Sequence, residues 1–526
     1  MLQFMESHAT NYMQSHKTML RRICSCLAVL ALFCPLVCSF ASPAKKPQIV
    51  AAHYAPWFRG PVEGSWTFQL GKKNIKTAYK PLLGYYNSLN PSVLSKHITW
   101  ATQYGINTFM IEWPGEDTTD WYSVPDEAMK VFTQNPDFNK IDFFFVYSLV
   151  SGLRKSGDPP LARVDLNDNQ RVNKLLSDFR YASRMYFKRS NYLRIQGRPV
   201  IYLWAVTLTK GNLKKTVNKL RNAVKAETGK DPYIIADTVL MYTDPQPSLV
   251  KIFDAAMPYA MLKYQGKPPK NYDLKDSIPT IFQRYRYFAY ALEDLGVDFV
   301  PTVFPGFDAK GAPWCYDANR RLKTPKVKRS TPSFKDFVAK AKSWVDPDIN
   351  MIYITSWSEW NEGTNIEPSQ QFKFKYLNSL KKGLNKKPAF EMPPYKITFR
   401  FKCVVKPGNH DDDRNLAAAF DTIDFMDSNL KLLDSIDIGT AAAGDHLGWG
   451  WYGREIEGPE GPNFVWAGTK QKFATVRLDI PQGTKYLMLK IKQIENQVTK
   501  VFLDWKLLSE IPSELPYQWT VHLVPL

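Results

Sequence analysis

Between residues 48 and 384, short apolar runs alternate with longer runs of helical periodicity, and no other feature restricts the fold as tightly. The apolar runs are QIVAAHYAPWF (48–58), INTFMIEW (106–113), IDFFFVYS (141–148), RPVIYLWA (198–205), PYIIAD (232–237), FDAAMPYA (253–260), DFVPTVFPGFD (298–308) and NMIYITSW (350–357). They are short and continuous, as parallel strands buried on both faces must be. Most are followed by stretches such as PSVLSKHITWATQYG (91–105) or NDNQRVNKLLSDFRYASRMYF (167–187), which open on capping residues or proline. Eight such units predict an α/β fold, a (β/α)8 TIM barrel over 47–387, longer than the usual ~250 residues and so with insertions in its upper loops. The alternative, an open doubly wound sheet, lacks the glycine-rich phosphate loop expected after its first strand.

Past the linker-like EMPPY (391–395) the period changes. YKITFRFKCVV (395–405) alternates, and FATVRLDI (473–480), KYLMLKIKQI (485–494) and KVFLDWKLL (500–508) are strand-like runs separated by turn signals such as PQGTK. This predicts a C-terminal antiparallel β-sandwich over 390–526. Its segment GWGWYGREIEG and the later NFVWAG carry Trp449, Trp451, Tyr452 and Trp466, which suit either a sugar-binding platform or a sandwich core.

The N-terminal stretch MLRRICSCLAVLALFCPLVCSFA (19–41) has a basic start, an apolar run and a small-x-small end. It reads as a signal peptide cleaved after Ala41, with Met19 an alternative start. The mature protein is then secreted, periplasmic or on the cell surface, without stable membrane insertion; an uncleaved signal anchor is the rival reading. Four of the 6 cysteines lie in that stretch, leaving Cys315 and Cys403 as free thiols or one bridge, and neither a disulfide framework nor a zinc site. The net charge of +19 is spread over scattered lysines without a nucleic-acid motif, so no nucleic-acid partner is expected.

A barrel places its chemistry at the C-terminal ends of its strands. Those ends carry His53, Tyr54 and Trp57; Glu112 and Trp113; Tyr147; Trp204; Asp237; Tyr259; Phe307 and Asp308; and Trp357, Glu359 and Glu362. Carboxylates and aromatic rings converge on one mouth, the equipment of glycoside hydrolysis. No Cys/His cluster suggests a metal, no cofactor motif is present, and no G-x-S-x-G suggests an esterase. Glu359 and Glu362 are three residues apart, on one face if the bend after the eighth strand is helical. Two neighbouring carboxylates do not both ionise cheaply, so an acid and a base coexist at neutral pH. Alone, either glutamate would more simply cap the next helix.

The stretch ITSWSEWNEGTNIEPS (354–369) resembles the signature of glycoside hydrolase family 99, the endo-α-mannosidase and mannanase family, and of its glycan-acting 99-like relatives. That signature reads approximately T-S-F-N-E-W-H-E-G-T-x-I-E. LLGYYNSLNPSVLSKHITWATQYGINTFMIEWPG (82–115) and PGFDAKGAPW (305–314) are similar to further parts of the family, so the likeness runs from about Ile49 to Pro368. The resemblance implies a retaining enzyme acting on α-linked glycans, oligosaccharide or polysaccharide, through a 1,2-anhydro sugar. Glu359 would be the base for the 2-hydroxyl and Glu362 the acid/base. The aromatic and acidic strand ends would be substrate contacts: Tyr54, Trp57, Glu112, Trp113, Tyr147, Tyr259 and Trp357, with Arg320 from the seventh-strand loop. Asn361 stands where the family has histidine and Ala312 where it has arginine. A catalytically inert glycan-binding or surface-structural protein on the same scaffold is the alternative function, and an enzyme of glycan transfer a third.

Overall fold

The computed structural model describes residues 48–60, 66–70, 73–116, 124–155, 158, 162–238, 244–259, 271–316, 322, 324, 326–388, 393–407, 412–457 and 461–526. The leader expected over 1–41 lies outside them. Among the described residues no helix is long and apolar enough to cross a membrane.

Eight parallel strands form the barrel: β1 (Ile49–Tyr54), β2 (Thr108–Glu112), β3 (Asp142–Ser148), β4 (Arg198–Trp204), β5 (Tyr233–Ala236), β6 (Ala255–Ala256), β7 in two segments (Asp298–Phe299 and Thr302–Val303) and β8 (Met351–Ile354). Each predicted run holds one of them. Neighbours pair in sequence order, and β8 pairs back to β1 with Ile49 opposite Met351. Closure falls on β7. Its first segment pairs with β6 and its second with β8. Pro301 sits between the two segments and has no N–H to give, so the bonds pass around it: Val300 N–H donates to Ala256 O at 3.0 Å, and Tyr353 N–H donates to Pro301 O at 3.0 Å. A closed barrel leaves no strand edge exposed.

The helices that cover the barrel begin where their caps dictate. In α1 (Pro91–Gln103) the Asn90 side chain accepts from Ser92 N–H and Pro91 opens the helix. In α2 (Val124–Gln134) the first turn is acidic, and in α3 (Asn169–Met185) the Asp168 side chain accepts from Gln170 N–H. The chain continues through α4 (Leu213–Thr228), α5 (Leu274–Leu295), α6 (Thr331–Ala341) and α7 (Lys375–Leu384). α5 ends on Gly296 at φ +72, a left-handed position that favours glycine.

The second layer is the antiparallel sandwich. Its strands are β9 (Tyr395–Phe401), β10 (Leu416–Met426), β11 (Leu432–Asp437), β12 (Trp451–Ile456), β13 (Asn463–Gly468), β14 (Phe473–Leu478), β15 (Tyr486–Gln493), β16 (Val498–Leu503), β17 (Lys506–Pro512) and β18 (Trp519–Pro525). One sheet runs β14-β9-β16-β17; the other runs β12-β13-β10-β15-β18, with β11 also on β10. Inward residues such as Ile397, Phe399, Phe420, Leu489 and Val501 form one core. Both tryptophans of GWGWYG take part in packing. Trp451 packs edge-on to Phe420, with ring centroids 5.1 Å apart, and its indole donates to Thr475 O at 2.6 Å. Trp449 packs into the barrel's core cluster. Gly450, at φ +98, lets the chain pass where a Cβ would meet Phe473 O at 2.1 Å.

The sandwich docks on one face of α5, where Arg286, Tyr290, Glu293 and Asp294 follow helical spacing. Asp294, 1% exposed, binds Lys396 at 2.9 Å and also accepts from the Thr475 hydroxyl. Arg477 pairs with Glu293 and lies 5.1 Å over the Tyr290 ring, and Arg286 pairs with Asp445. Removing one partner of a buried pair strands the other charge. Asp294→Ala should therefore cost about 3 kcal/mol in denaturant unfolding. Asp294→Asn, which keeps an acceptor for Thr475, should lose less. Equal stability of Asp294→Ala and wild type would show that the pair does not hold the two layers together.

Candidate active site

Successive side chains of a strand point to opposite faces, and at the barrel's upper end this sorts the candidates. His53 and Glu112 face inward and meet, His53 Nε2 lying 3.3 Å from Glu112 Oε2. His53 Nδ1 lies 3.4 Å from the Tyr259 hydroxyl, and the Tyr259 ring is edge-on to His53 and to Trp204 at 5.5 and 6.1 Å. Asp237 closes the fifth position. Both its oxygens accept backbone N–H groups, from Ala205 at 2.9 Å and Val206 at 3.1 Å, which fixes the loop beyond Trp204.

The chain after β8 folds over this group as a hydrogen-bonded turn, not as a helix. The Thr355–Ser356 peptide is cis. Ser356 Oγ accepts Glu359 N–H at 2.8 Å, and Glu359 Oε1 accepts Asn361 N–H at 3.1 Å. The Trp314 indole donates to Glu362 Oε1 at 3.2 Å. Asp308 N–H donates to Glu362 O at 2.8 Å, joining the seventh and eighth loops. Both loops use glycine for this approach: a Cβ on Gly311 would sit 3.1 Å from Asn361 O, and one on Gly363, at φ +61, 3.0 Å from Asp308 O. Arg329 braces the outer side, donating to Asn365 O at 2.6 Å and lying 4.2 Å over the Tyr376 ring.

Burial raises the Glu359 carboxyl well above its usual range, and the charges of Glu362 and Glu112 raise it further against hydrogen bonds from backbone N–H groups. Burial also raises Glu362, opposed by the Trp314 hydrogen bond and by His53. Burial lifts Asp237 to about 7. The buried Cys315 thiol is pushed up to about 12 by burial and by the two glutamates, so it stays protonated. Both remaining cysteines are free thiols.

Of the expected substrate contacts, Glu112 and Tyr259 face the mouth. Four do not, because each sits on the alternate face of its strand or loop and is buried against the helix layer. The Tyr54 hydroxyl lies 2.9 Å from His97 Nδ1. The Trp113 indole donates to Asp126 at 3.0 Å, with its ring stacked 4.8 Å from Phe145. The Tyr147 hydroxyl donates to Asp178 at 2.8 Å. The Trp357 ring is edge-on to His97 at 5.5 Å. Trp57 is buried in a separate cluster with Phe58 and Trp66. Arg320 lies outside the described residues. Trp314, the tryptophan of GAPW, reaches Glu362 from a loop whose approach no spacing reveals. Among the described residues, the acidic group with metal-like spacing is Asp298, Asp346 and Asp348, with ligand atoms within 4.8 Å of one another. It lies at the strands' N-terminal ends, away from the mouth, and Tyr233 already binds Asp298.

A family model described as Glycosyltransferase WbsX matches residues 163–380, less than half of the chain but including β8 and both glutamates. No curated protein matches the chain. Among solved structures, the chain is similar to a "Glycoside hydrolase-like protein" at 19% identity and a TM-score of 0.49, over 64% of this chain and 93% of that one. It is similar to the GH99 endo-alpha-mannosidase from Bacteroides thetaiotaomicron at 19% identity and a TM-score of 0.43, over 64% and 95%. It is similar to GH5_18 from Streptomyces cattleya in complex with GlcNAc at 10% identity and a TM-score of 0.38, over 60% and 81%. The matching family model spans the glutamate motif.

Asp237 sets a measurable pH dependence. An unfolded aspartate ionises near ~3.9, whereas the folded one holds its proton to about 7. Between those values the folded state binds more protons, so stability falls as pH rises, and the fall ends once Asp237 ionises in both states. The melting temperature of Asp237→Asn should therefore drop less between pH 5 and pH 7.5 than that of wild type. Parallel curves would show that Asp237 is ionised throughout.

Proposed function

We propose that this chain is a glycoside hydrolase that cleaves α-linked glycans with retention, with Glu359 and Glu362 as its catalytic pair. The observation that carries this reading is the turn after β8: one buried and one half-buried carboxyl, both raised, opening on the barrel mouth beside His53, Glu112, Tyr259 and Trp314. Perturbed carboxyls in such a cleft mark acid–base chemistry.

The steps follow the roles that the resemblance assigns. Glu359 takes the proton of the sugar's 2-hydroxyl, and that oxygen attacks the anomeric carbon as the glycosidic bond breaks. Glu362 gives its proton to the departing oxygen. Glu362 then takes a proton from water, whose oxygen opens the 1,2-anhydro ring at the anomeric carbon, while Glu359 returns its proton to O2. Two inversions give net retention, one of the substrate-assisted routes beside the usual two-carboxylate scheme. The two carboxyls titrate as a pair, and the reactive form is the one with Glu359 ionised and Glu362 protonated. The rise of kcat/KM with pH then reports the first proton leaving the pair.

The inert glycan-binding reading draws on Asn361 and Ala312, which replace two residues of the family pattern. A transfer enzyme draws on the description of the matching family model. A screen against α-mannan, α-glucan and host-type oligosaccharides, with product anomericity followed by NMR, separates the three.

Glu362→Gln should lower turnover at least about 10²-fold on natural glycans, with the fold intact. A substrate with a good leaving group should partly restore its first step, because departure no longer needs an acid. Glu359→Gln should fall equally far and not be restored, since the 2-hydroxyl still lacks its base. A folded variant of either kind with wild-type turnover would end the hydrolase assignment. For the exported protein we propose cleavage after Ala41. N-terminal sequencing should then begin at Ser42, and a membrane-embedded product with the leader attached would refute it.

A further inference from the structure

Glu367 lies outside the mouth and is fully buried, as is His97. Its Oε1 is 3.0 Å from His97 Nε2, and its Oε2 accepts the Tyr86 hydroxyl at 2.8 Å and the Trp360 indole N–H at 2.9 Å. With His97 protonated on Nε2, the histidine donates to Glu367 and accepts from the Tyr54 hydroxyl, and each of these groups is satisfied. A carboxylate taken out of water needs all such donors, so displacing any one leaves charge unpaired in the core.

One of those donors is the residue between Glu359 and Asn361. Trp360 N–H donates to Ser358 O at 2.9 Å, and Trp360 O accepts Gly363 N–H at 3.3 Å, so its backbone is part of the turn that presents both glutamates. Its ring is buried 6.2 Å from Trp66. On the opposite side, Asn361 Nδ2 donates to Gly311 O at 3.1 Å. The turn is thus pinned from below by Glu367 and from above by the seventh loop. Glu367 N–H also donates to Trp357 O at 2.9 Å, closing the loop on itself.

We propose that Glu367 is the positioning residue of the glutamate pair, acting through the Trp360 indole. The inference rests on the hydrolase reading above. Glu367 touches no part of the mouth, so its loss changes where Glu359 and Glu362 stand and leaves the sugar contacts in place.

The test uses three substitutions in the full chain, assayed on a glycan that wild type cleaves. Glu367→Met keeps length and bulk but offers no acceptor. It should lower kcat roughly 10- to 100-fold with KM within about twofold. Glu367→Gln should stay near wild type: its oxygen keeps Tyr86 and Trp360, and its amide faces a His97 that has moved its proton to Nδ1. Trp360→Phe removes the indole N–H and should reproduce the Glu367→Met loss, with the double variant no worse than either single one. A folded Glu367→Met or Trp360→Phe with wild-type kcat overturns the proposal, as does additive loss in the double variant. If Glu367→Met does not fold, Trp360→Phe decides alone. A wild type inactive on every glycan removes the hydrolase reading and this inference together. An active wild type with a dead Glu362→Gln and an unimpaired Glu367→Met removes the positioning role only.

Discussion

Closure of the barrel at its seventh strand is the constraint on which the rest depends. Each segment of that strand pairs with only one neighbour, and Pro301 between them has no N–H to give. Closure nonetheless completes, because Val300 bonds back to Ala256 while the Pro301 carbonyl takes Tyr353 N–H on the next strand. On its other side β8 pairs in register with β1, with Ala52 opposite Ile354. The turn beyond Ile354 is thereby delivered over His53, whose carbonyl accepts Trp357 N–H at 2.7 Å. A shift of one residue in this pairing would exchange the faces of every side chain in the strand.

Over this frame the molecule handles its carboxylates in two ways. Glu367 and Asp294 are buried with donors on their oxygens, and they hold loops or layers in place. Glu359 and Glu362 are supplied less fully, and burial drives both toward the protonated form. Converging donors offset the cost of burying a carboxylate, and at Glu359 and Glu362 burial outweighs the hydrogen bonds they accept. Structure and acid–base chemistry therefore occupy neighbouring positions of one short stretch, Glu359 to Glu367, with Trp360 touching both.

The sandwich shows that composition alone does not place a tryptophan. GWGWYG reads equally well as a platform or a core. Trp449 enters the barrel cluster and Trp451 the sandwich core because α5 presents Tyr290, Glu293 and Asp294 as a docking face that the glycines allow the segment to approach. Trp466 remains half-buried on β13, outside the sandwich core.

The sequence by itself determined the eight strands, their order, the sandwich that follows and the glutamate pair, because each is written in local terms: apolar runs of strand length, changes of period, and a motif of adjacent residues. It also placed Glu112 and Tyr259 at strand ends, where they face the mouth. Only the tertiary structure decided which strand-end rings reach the opening. Tyr54, Trp113, Tyr147 and Trp357 lie within a residue or two of the inward positions, and alternation turns them onto His97, Asp126, Asp178 and the helix layer. The same holds for Trp314 on Glu362 and for Glu367 beneath Trp360. These contacts join residues 43 or 48 positions apart, or lie across a turn whose shape is set by its neighbours, and a linear pattern carries no record of such meetings.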